Sequence, residues 1–302
     1  MEIKLSIGLP VYNEINFIDE TIKSLLSQTF NFYELIIIDN CSNDGTFEVL
    51  KKYSKKDTRI KLIKNNKNIG MISNYNKTFL KSSGNYFSWA GAHDLYHKDY
   101  FQTLISEFLN EKNIALVFSN VKTIDSLNKI LNPKKNVGFE LLQKNKLWRS
   151  LLMPLLTKGS GDMVSGVFKS SDLKKTTVFS KKVLTPDILL ITQISNFGII
   201  KRIKTPLRSR RYFRENEVSF NKWSEKYIHM KKRYIKNSGN LNFITKKFPT
   251  LVMFINIFKV LGLKKSIIFP YYIFIGTYSS LIFLFRHRAS LVVDTLQFLK
   301  IK

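Results

Sequence analysis

Along residues 1–120, short apolar runs alternate with segments in which apolar residues recur every three or four positions. The runs predict five strands, at residues 5–11, 35–38, 60–63, 86–90 and 114–118. The periodic segments predict four helices, at residues 15–26, 46–53, 72–80 and 100–109. This alternation is typical of βαβ units, so we expect an α/β fold with a mostly parallel sheet flanked by helices.

Polar residues concentrate in the loops that follow these strands, at residues 10–14, 39–45, 65–70 and 91–94. In open parallel sheets, ligands bind in the crevice beyond the carboxyl ends of the strands. Four polar loops at one edge of the sheet therefore predict a binding site there.

The pattern changes after residue 120. Residues 121–160 are predicted to form a connection, followed by a strand at 166–168, a helix at 187–197 and a returning strand at 199–206. Residues 266–285 contain no charged side chain, and this stretch is long enough for a membrane-spanning helix. A re-entrant or interfacial helix and a buried helix fit this stretch as well.

The net charge of +27 is unevenly distributed. Residues 1–120 carry +1, and residues 121–302 carry the remaining +26. An AT-rich genome, which enriches lysine, would affect both halves, so the basic half is expected to face an anionic partner. A membrane surface, a polyphosphate-linked substrate and nucleic acid are candidates. The uncharged stretch beside the basic clusters favours the membrane.

Several function classes lack their sequence signatures. The single cysteine, Cys41, excludes a disulfide framework and a Cys-based zinc site. The N-terminal residues predict a strand rather than a secretory signal. Glycine-rich dinucleotide and Walker loops, a His-Glu-x-x-His motif and a Gly-x-Ser-x-Gly elbow are missing, so dehydrogenases, P-loop ATPases, zinc proteases and serine hydrolases have little support.

Four loop motifs occur in order: PVYNE at residues 10–14, DNCSNDGT at 39–46, NIGMISNYN at 68–76 and WAGAHD at 89–94. This series resembles the family-2 glycosyltransferases of the GT-A fold, well over residues 3–120 and more loosely over 160–220. The resemblance implies a GT-A-like, Rossmann-like domain at residues 1–215, with nucleotide-sugar binding in 1–120 and the acceptor side in 121–215. Residues 216–302 would form a basic, apolar, helical region associated with a membrane.

The resemblance implies that the first three loops bind the sugar donor. The Asp39 carboxylate would accept a hydrogen bond from a uracil-type N–H, with Glu14 close to it. Pro10 and Tyr12 would shape the pocket for the base and ribose. The other implied donor-site residues come from the second and third loops: Ser42, Asn68, Gly70 and Asn76. Considered alone, Asp39 is equally a turn residue.

The acidic loop departs from the family's pattern. Gly91, Ala92 and His93 stand where the family has D-x-D, and Asp94 follows. Two carboxylates there normally hold a divalent cation, Mn²⁺ or Mg²⁺, that neutralises the leaving diphosphate. Asp94 and His93 are the candidate metal ligands. The alternative is a hydrogen-bonded loop pair without metal, in which Lys or Arg neutralises the diphosphate.

The second half supplies a candidate catalytic base. Asp187 stands where the family carries an acidic residue, just before an apolar helix, and is expected to deprotonate the acceptor hydroxyl. The alternative is a helix cap or first-turn residue. Arg211 ends a basic run where many relatives have Arg-x-His, and it is expected to contact phosphate. The alternative for Arg211 is a solvated basic face.

The sequence therefore predicts an enzyme that moves a sugar from a nucleoside-diphosphate donor, UDP-type, to a lipid-linked or saccharide acceptor. Inversion at the anomeric carbon and a role in cell-surface polysaccharide or glycolipid synthesis are expected from the resemblance. We expect this enzyme at the cytoplasmic face of a membrane, with no nucleic-acid partner. A non-catalytic scaffold that binds nucleotide-sugar is the alternative, which the altered acidic loop favours.

Overall fold

The computed structural model describes residues 4–131, 138–153, 156, 160–211, 228, 231–232, 235, 243–258, 260, 281 and 294–295. The strands are β1 (Leu5–Val11), β2 (Tyr33–Asp39), β3 (Ile60–Lys64), β4 (Tyr86–Trp89), β5 (Leu95–Tyr96), β6 (Ile114–Ile124), β7 (Ile130–Leu131), β8 (Val167–Lys169) and β9 (Ile199–Arg211). The helices are α1 (Ile18–Leu26), α2 (Thr46–Ser54), α3 (Met71–Leu80), α4 (Tyr100–Asn110), α5 (Lys146–Leu152), α6 (Ser160–Met163), α7 (Ser170–Leu173), α8 (Pro186–Ile194), α9 (Phe243–Lys247) and α10 (Pro249–Phe258).

The strands form one nine-stranded sheet in the order β3-β2-β1-β4-β8-β6-β9-β5, with β7 paired to β6. The long pairings of β1 with β2 and β4, of β2 with β3 and of β6 with β9 are parallel. Each antiparallel pairing joins only two residue pairs. The predicted α/β fold with a mostly parallel sheet is therefore confirmed. Val11 pairs with Asp39 and Asp39 pairs with Lys64, so three binding loops start at one level of the sheet.

The structure adds elements that the sequence pattern did not predict. β5 and β7 have two residues each, so they are too short to show an alternation of apolar and polar positions. α5 lies within residues 121–160, for which the sequence predicts only a connection. β9 continues five residues past its predicted end, through the basic run 208–211. There Val121 of β6 pairs with Arg208 and Ile124 pairs with Arg211. Pairing with β6 therefore overrides the polar composition of this segment.

Apolar side chains pack in two clusters on the two faces of the sheet. One cluster joins β1 and β2 to α1 and α4, and the other joins β4 and β6 to α3 and α8. Trp89 is 1% exposed at the centre of the second cluster, with its ring 4.7 Å from that of Phe87 and 4.9 Å from that of Phe179. These aromatic contacts give the binding edge a rigid base.

Glu34 is a buried carboxylate at the amino end of β2. It accepts hydrogen bonds from Ser6 Oγ at 2.6 Å and from the Ser83 N–H at 2.7 Å, and it forms an ion pair with Lys61. Burial acts to raise its pKa, but the hydrogen bonds from Lys61, Ser6 and Ser83 outweigh burial and hold the pKa at about 2. The ionised form of Glu34 therefore stabilises the folded chain.

This stabilisation is expected to depend on pH. An unperturbed Glu titrates at 4.5, so the contribution is complete above that pH and is lost as the pH falls through about 2. We expect Glu34→Gln to lower the free energy of unfolding by about 2 kcal/mol at pH 7 and by less at pH 3, measured by urea denaturation. The exposed Glu48→Gln is the matched control. An equal loss for Glu34→Gln at both pH values would contradict this account.

The described part of the C-terminal region packs on the sheet domain. Met253 and Ile257 of α10 contact Ile188 and Leu189 of α8. A buried ion pair of Lys231 Nζ with Asp294 Oδ1, at 2.6 Å, joins segments of this region that are far apart in sequence. None of the described helices is long and apolar enough to cross a membrane. Except for one residue, the uncharged stretch 266–285 lies outside the described residues.

Candidate active site

A cleft of about 310 Å³ opens at the carboxyl ends of β1 and β2, where the predicted binding loops meet. We call it the first cleft. Its lining residues are Pro10, Val11, Tyr12, Glu14, Asn40, Asn68, Gly70, Met71, Asn74, Tyr75, Ala92 and His93. It therefore brings together six residues that the sequence predicted for donor or metal binding: Pro10, Tyr12, Glu14, Asn68, Gly70 and His93.

The two loops after β1 and β2 are joined by hydrogen bonds. The Asn13 N–H donates to Ser42 Oγ at 2.9 Å, and Asn13 Oδ1 accepts from the Asn43 N–H at 3.1 Å. The Glu14 N–H donates to Thr46 Oγ1 at 2.9 Å. Asn13 has a φ of 52°, a left-handed conformation that asparagine tolerates. Ser42 thus fixes the loop behind the first cleft, and its predicted contact with the donor stays a prediction.

Asp39 ends β2 directly behind the wall of the first cleft and is fully buried. Its Oδ2 accepts the Ser42 N–H at 3.0 Å, whereas its Oδ1 accepts no hydrogen bond from any described residue. A buried acceptor without a donor costs free energy, so this oxygen is suited to a donor from a ligand. Asp39 does not line the first cleft, so its predicted contact with a base requires the loop around Asn40 to move.

An asparagine network holds the third loop against the second. Asn40 Nδ2 donates to Asn68 Oδ1 at 2.8 Å, and the same oxygen accepts the Gly70 N–H at 2.8 Å. Asn65 Nδ2 donates to Asn40 Oδ1 at 3.0 Å and to Asn74 Oδ1 at 3.0 Å. Gly70 has a φ of 83°, which glycine adopts without strain. These bonds keep Asn68 and Gly70 at the edge of the first cleft.

Asn76 lies away from the first cleft. Its Nδ2 donates to the Phe179 carbonyl at 2.8 Å, and its Oδ1 accepts the Phe179 N–H at 3.1 Å. Both functions of the amide therefore brace α3 against the segment before α8. The predicted contact of Asn76 with the donor stays a prediction.

A larger space of about 430 Å³ adjoins the first cleft, and we call it the second cavity. The two share Met71, Tyr75 and His93. Its other lining residues come from α3, β4, the acidic loop, α6 and the loop after it, the segment before α8, the first turn of α8, and β9: Ile72, Trp89, Ala90, Gly91, Asp94, Gly161, Asp162, Val164, Ser165, Phe179, Leu184, Pro186, Asp187, Arg208 and Arg210. A mainly apolar wall with a charged rim suits an organic acceptor with a reactive polar end.

A buried chain of ion pairs forms the charged rim. Arg208 Nη1 donates to Asp94 Oδ2 at 2.9 Å, and Arg208 Nη2 donates to Asp162 Oδ1 at 2.9 Å. Arg210 Nη1 donates to the same Asp162 oxygen at 2.6 Å. Burial acts to lower the pKa of Arg208, but Asp94 and Asp162 outweigh it and raise the pKa above its ordinary value. The guanidinium of Arg208 is therefore permanently charged and fixes both carboxylates.

The structure gives Arg211 contacts other than the predicted phosphate. Its side chain is 1% exposed, and Nη2 pairs with Glu20 Oε2 at 2.9 Å. Nε donates to the His93 carbonyl at 3.1 Å, and Nη1 donates to the Asp125 carbonyl at 2.8 Å. The Arg211 backbone N–H also donates to Asp94 Oδ1 at 3.2 Å. Arg211 therefore holds the acidic loop in place, and it lines neither the first cleft nor the second cavity.

The divalent cation implied by the resemblance does not fit the donors present. His93 Nδ1 lies 3.2 Å from Glu14 Oε1, and its Nε2 lies 4.0 Å from Asp94 Oδ1. The two carboxylates thus face opposite ring nitrogens and do not converge on one ion. Asp94 is already paired with Arg208. In the part of the chain that the structure describes, no three His, Cys, Asp or Glu side chains form a metal site.

Asp187 lies in the first turn of α8, on the wall of the second cavity. Removal of the carboxyl from water raises its pKa, and the negative charge of Asp162 acts in the same direction. The backbone N–H groups of Ile188 and Asp187 act in the opposite direction. A raised pKa makes the carboxylate a stronger base, which suits proton abstraction from a hydroxyl group.

Comparison with known proteins decides the family. The family model described as glycosyl transferase family 2 matches residues 6–168, from β1 to β8. This range includes the loops that line the first cleft. The chain belongs to glycosyltransferase family 2. The predicted resemblance and the enzyme class are therefore confirmed.

One relative of this family-2 chain is named for teichuronic acid biosynthesis. It is 29% identical over 147 residues to the putative teichuronic acid biosynthesis glycosyltransferase TuaG of Bacillus subtilis, covering 47% of this chain and 58% of that one. An uncharacterized glycosyltransferase of Haemophilus influenzae is 31% identical over 136 residues, covering 40% and 42%. The chain thus matches about half the length of these relatives.

Solved structures share the fold of this family-2 chain. S. aureus TarS 1–349 in complex with UDP-GlcNAc superimposes with a TM-score of 0.58 at 15% identity, covering 99% of this chain and 93% of that one. The mannosyltransferase PcManGT from Pyrobaculum calidifontis, in complex with GDP-Man and Mn²⁺, gives a TM-score of 0.50 at 14% identity, covering 98% and 79%. These similarities support the GT-A fold.

Two residues join the parts of the family-2 site through an ion pair that the sequence did not predict. Arg208 and Asp162 bridge the acidic loop, α6 and β9. The available signal was the alternation of Arg208 and Arg210 along a strand, which places both side chains on one face of the sheet. Arginine side chains are almost never fully buried unless they are paired, so two of them on a buried strand face require acidic partners.

Proposed function

We propose that this chain transfers a sugar from a UDP-type donor bound in the first cleft to an acceptor hydroxyl bound in the second cavity. The junction of the two spaces at Met71, Tyr75 and His93 carries this proposal. The anomeric carbon would lie at this junction, with the nucleotide on one side and Asp187 on the other. Membership of glycosyltransferase family 2 supports the reaction class.

The arrangement suits an inverting displacement. The acceptor oxygen attacks the anomeric carbon from the second cavity, its proton moves to the Asp187 carboxylate, and a new glycosidic bond forms. The bond from the anomeric carbon to the diphosphate oxygen breaks, and the nucleoside diphosphate leaves with the electron pair toward the first cleft. Attack and departure on opposite sides invert the configuration. Asp187 contributes as a positioned general base.

Two observations support a uracil-containing donor. The buried Asp39 Oδ1 has an unused acceptor capacity within the described residues, and Glu14 lines the first cleft beside it. Carboxylate oxygens suit the N–H of a uracil-type base. TarS binds UDP-GlcNAc and UDP, whereas PcManGT binds GDP-Man. On these grounds we propose a UDP-type donor, and a comparison of UDP-sugars with GDP-sugars distinguishes the two bases.

The acceptor side points to a lipid-linked or saccharide acceptor. The second cavity has a mainly apolar wall, and α10, the most apolar described helix, packs on α8 beside Asp187. The +26 charge of residues 121–302 suits an anionic membrane surface. Together with the teichuronic acid relative, these features favour cell-surface polysaccharide or glycolipid synthesis at the cytoplasmic face of a membrane.

A panel of UDP- and GDP-sugars tests this proposal. Purified chain is incubated with each donor and with membrane lipid extract or oligosaccharide acceptors, and release of the nucleoside diphosphate is measured. We expect turnover with at least one UDP-sugar, increased by an acceptor. The scaffold alternative predicts nucleotide binding without turnover for every donor. Turnover with GDP-sugars alone would contradict the proposed donor type.

A further inference from the structure

The acidic loop and the arginines of β9 form one neutral cluster. Asp94 and Asp162 supply two negative charges, and Arg208 and Arg210 supply two positive charges, joined by three ion pairs of 2.9, 2.9 and 2.6 Å. All except Arg210 are less than 10% exposed. Charges buried at this level need partners, and these four have them without any ion. The carboxylates therefore need no metal to be neutralised.

Gly91 shows how the acidic loop accommodates this arrangement. A Cβ atom at Gly91 would lie 2.8 Å from Asp94 Oδ2 and 3.1 Å from Asp94 Cγ. The Asp94 carboxyl thus occupies the space that a side chain at position 91 would need. This is the carboxyl oxygen that accepts from Arg208. The absence of a side chain at Gly91 and the Asp94–Arg208 pair are two parts of one arrangement.

The acidic loop is also held firmly in this position. The Thr21 hydroxyl shares its one hydrogen between the Ala92 carbonyl, at 3.2 Å, and the Asp94 carbonyl, at 3.0 Å. The Gly91 N–H donates to Tyr96 Oη at 2.8 Å. Turning Asp94 toward the first cleft would break its pairs with Arg208 and with the Arg211 N–H, which leaves the buried guanidinium of Arg208 with one carboxylate, Asp162, instead of two. Asp94 is therefore held in place by its hydrogen bonds with Arg208 and Arg211.

We propose that the donor site of this chain works without a divalent cation, because Arg208, fixed between Asp94 and Asp162, takes the place of the metal as the cation paired with the acidic loop. This inference rests on the proposed function, since it concerns the same donor site. Arg208 fixes the acidic loop, and Arg210, which is 30% exposed on the wall of the second cavity, shares the Asp162 carboxylate with it. A guanidinium keeps its charge at every physiological pH.

Manganese binding tests this proposal directly. Purified chain is titrated with MnCl₂, with and without UDP, and bound Mn²⁺ is followed by electron paramagnetic resonance against UDP alone. In parallel, the Kd of UDP is measured by calorimetry in EDTA and in MnCl₂. We expect no stoichiometric Mn²⁺ site and Kd values within about twofold of each other. One bound Mn²⁺ per chain, or UDP binding at least tenfold tighter in MnCl₂, would overturn the proposal.

Two variants sharpen the test. His93→Asp restores a second acid in the loop, but Asp94 stays paired with Arg208, so we expect it still to lack a stoichiometric Mn²⁺ site. His93→Asp combined with Arg208→Gln frees both acids and is expected to gain one. Mn²⁺ binding by the single variant would show that Asp94 is available, which contradicts the proposal. If UDP binds in neither buffer, the donor assignment of the first cleft fails, and the resonance measurement still decides the question of metal.

Discussion

Asp187→Asn is expected to lower kcat about 10³-fold, because it removes the group that accepts the proton of the acceptor hydroxyl. The substitution keeps the size of the side chain, and Asp187 lies outside the first cleft. We therefore expect the Kd of the nucleotide to change by less than twofold. Initial rates at saturating donor and acceptor, with calorimetry for the nucleotide, measure both quantities.

A pH profile separates a base from a structural residue. Because the pKa of Asp187 is raised, activity should be lost, as the pH falls, at a higher pH than the ordinary value of 3.8 for Asp. That acidic limb should disappear from the residual activity of Asp187→Asn. Asp172→Asn is the matched control, since Asp172 is also buried with a raised pKa but lines neither binding space. A residual activity above one tenth in Asp187→Asn would refute the assignment of the base.

Arg208→Gln is expected to lower the free energy of unfolding by about 3–5 kcal/mol, because it leaves the buried carboxylates of Asp94 and Asp162 without their shared cation. Arg208 is 4% exposed and joins β9 to both the acidic loop and α6. Urea denaturation, followed by the fluorescence of the three tryptophans, measures the loss.

Arg202→Gln provides the comparison for this loss. Arg202 lies on the same strand, but its side chain is 31% exposed and its pair with Glu140 is long, at 3.7 Å. Such a pair contributes about 0–1 kcal/mol. Equal destabilisation by the two substitutions would mean that the ion-pair chain does not hold the site together.

The parts of the fold that local pattern determines could be predicted. The strand 5–11 and the helix 46–53 follow from apolar runs and periodicity, and the turn at Gly45, with its φ of 92°, follows from the Asn-Asp-Gly sequence. The binding edge follows from the rule for parallel sheets. For these elements, neighbours in sequence decide the conformation.

Contacts between distant segments could not be predicted. Asn76 bonds to Phe179, 103 positions away, and Arg211 pairs with Glu20, 191 positions away. The sequence places both residues in the right motifs but leaves open whether their side chains face a ligand or a neighbouring element. Arg208 reaches Asp94 across 114 positions, through a strand whose length depends on pairing with β6. Only the three-dimensional arrangement distinguishes a bracing residue from a binding residue.

A crystal structure of the chain with UDP tests the central claim most directly. The account predicts the uracil in the first cleft beside Pro10 and Tyr12, with a hydrogen bond to Asp39 or Glu14. The diphosphate should point toward His93 and the junction, leaving the second cavity open in front of Asp187. UDP bound in the second cavity, or outside both spaces, would contradict the assignment of donor and acceptor sides.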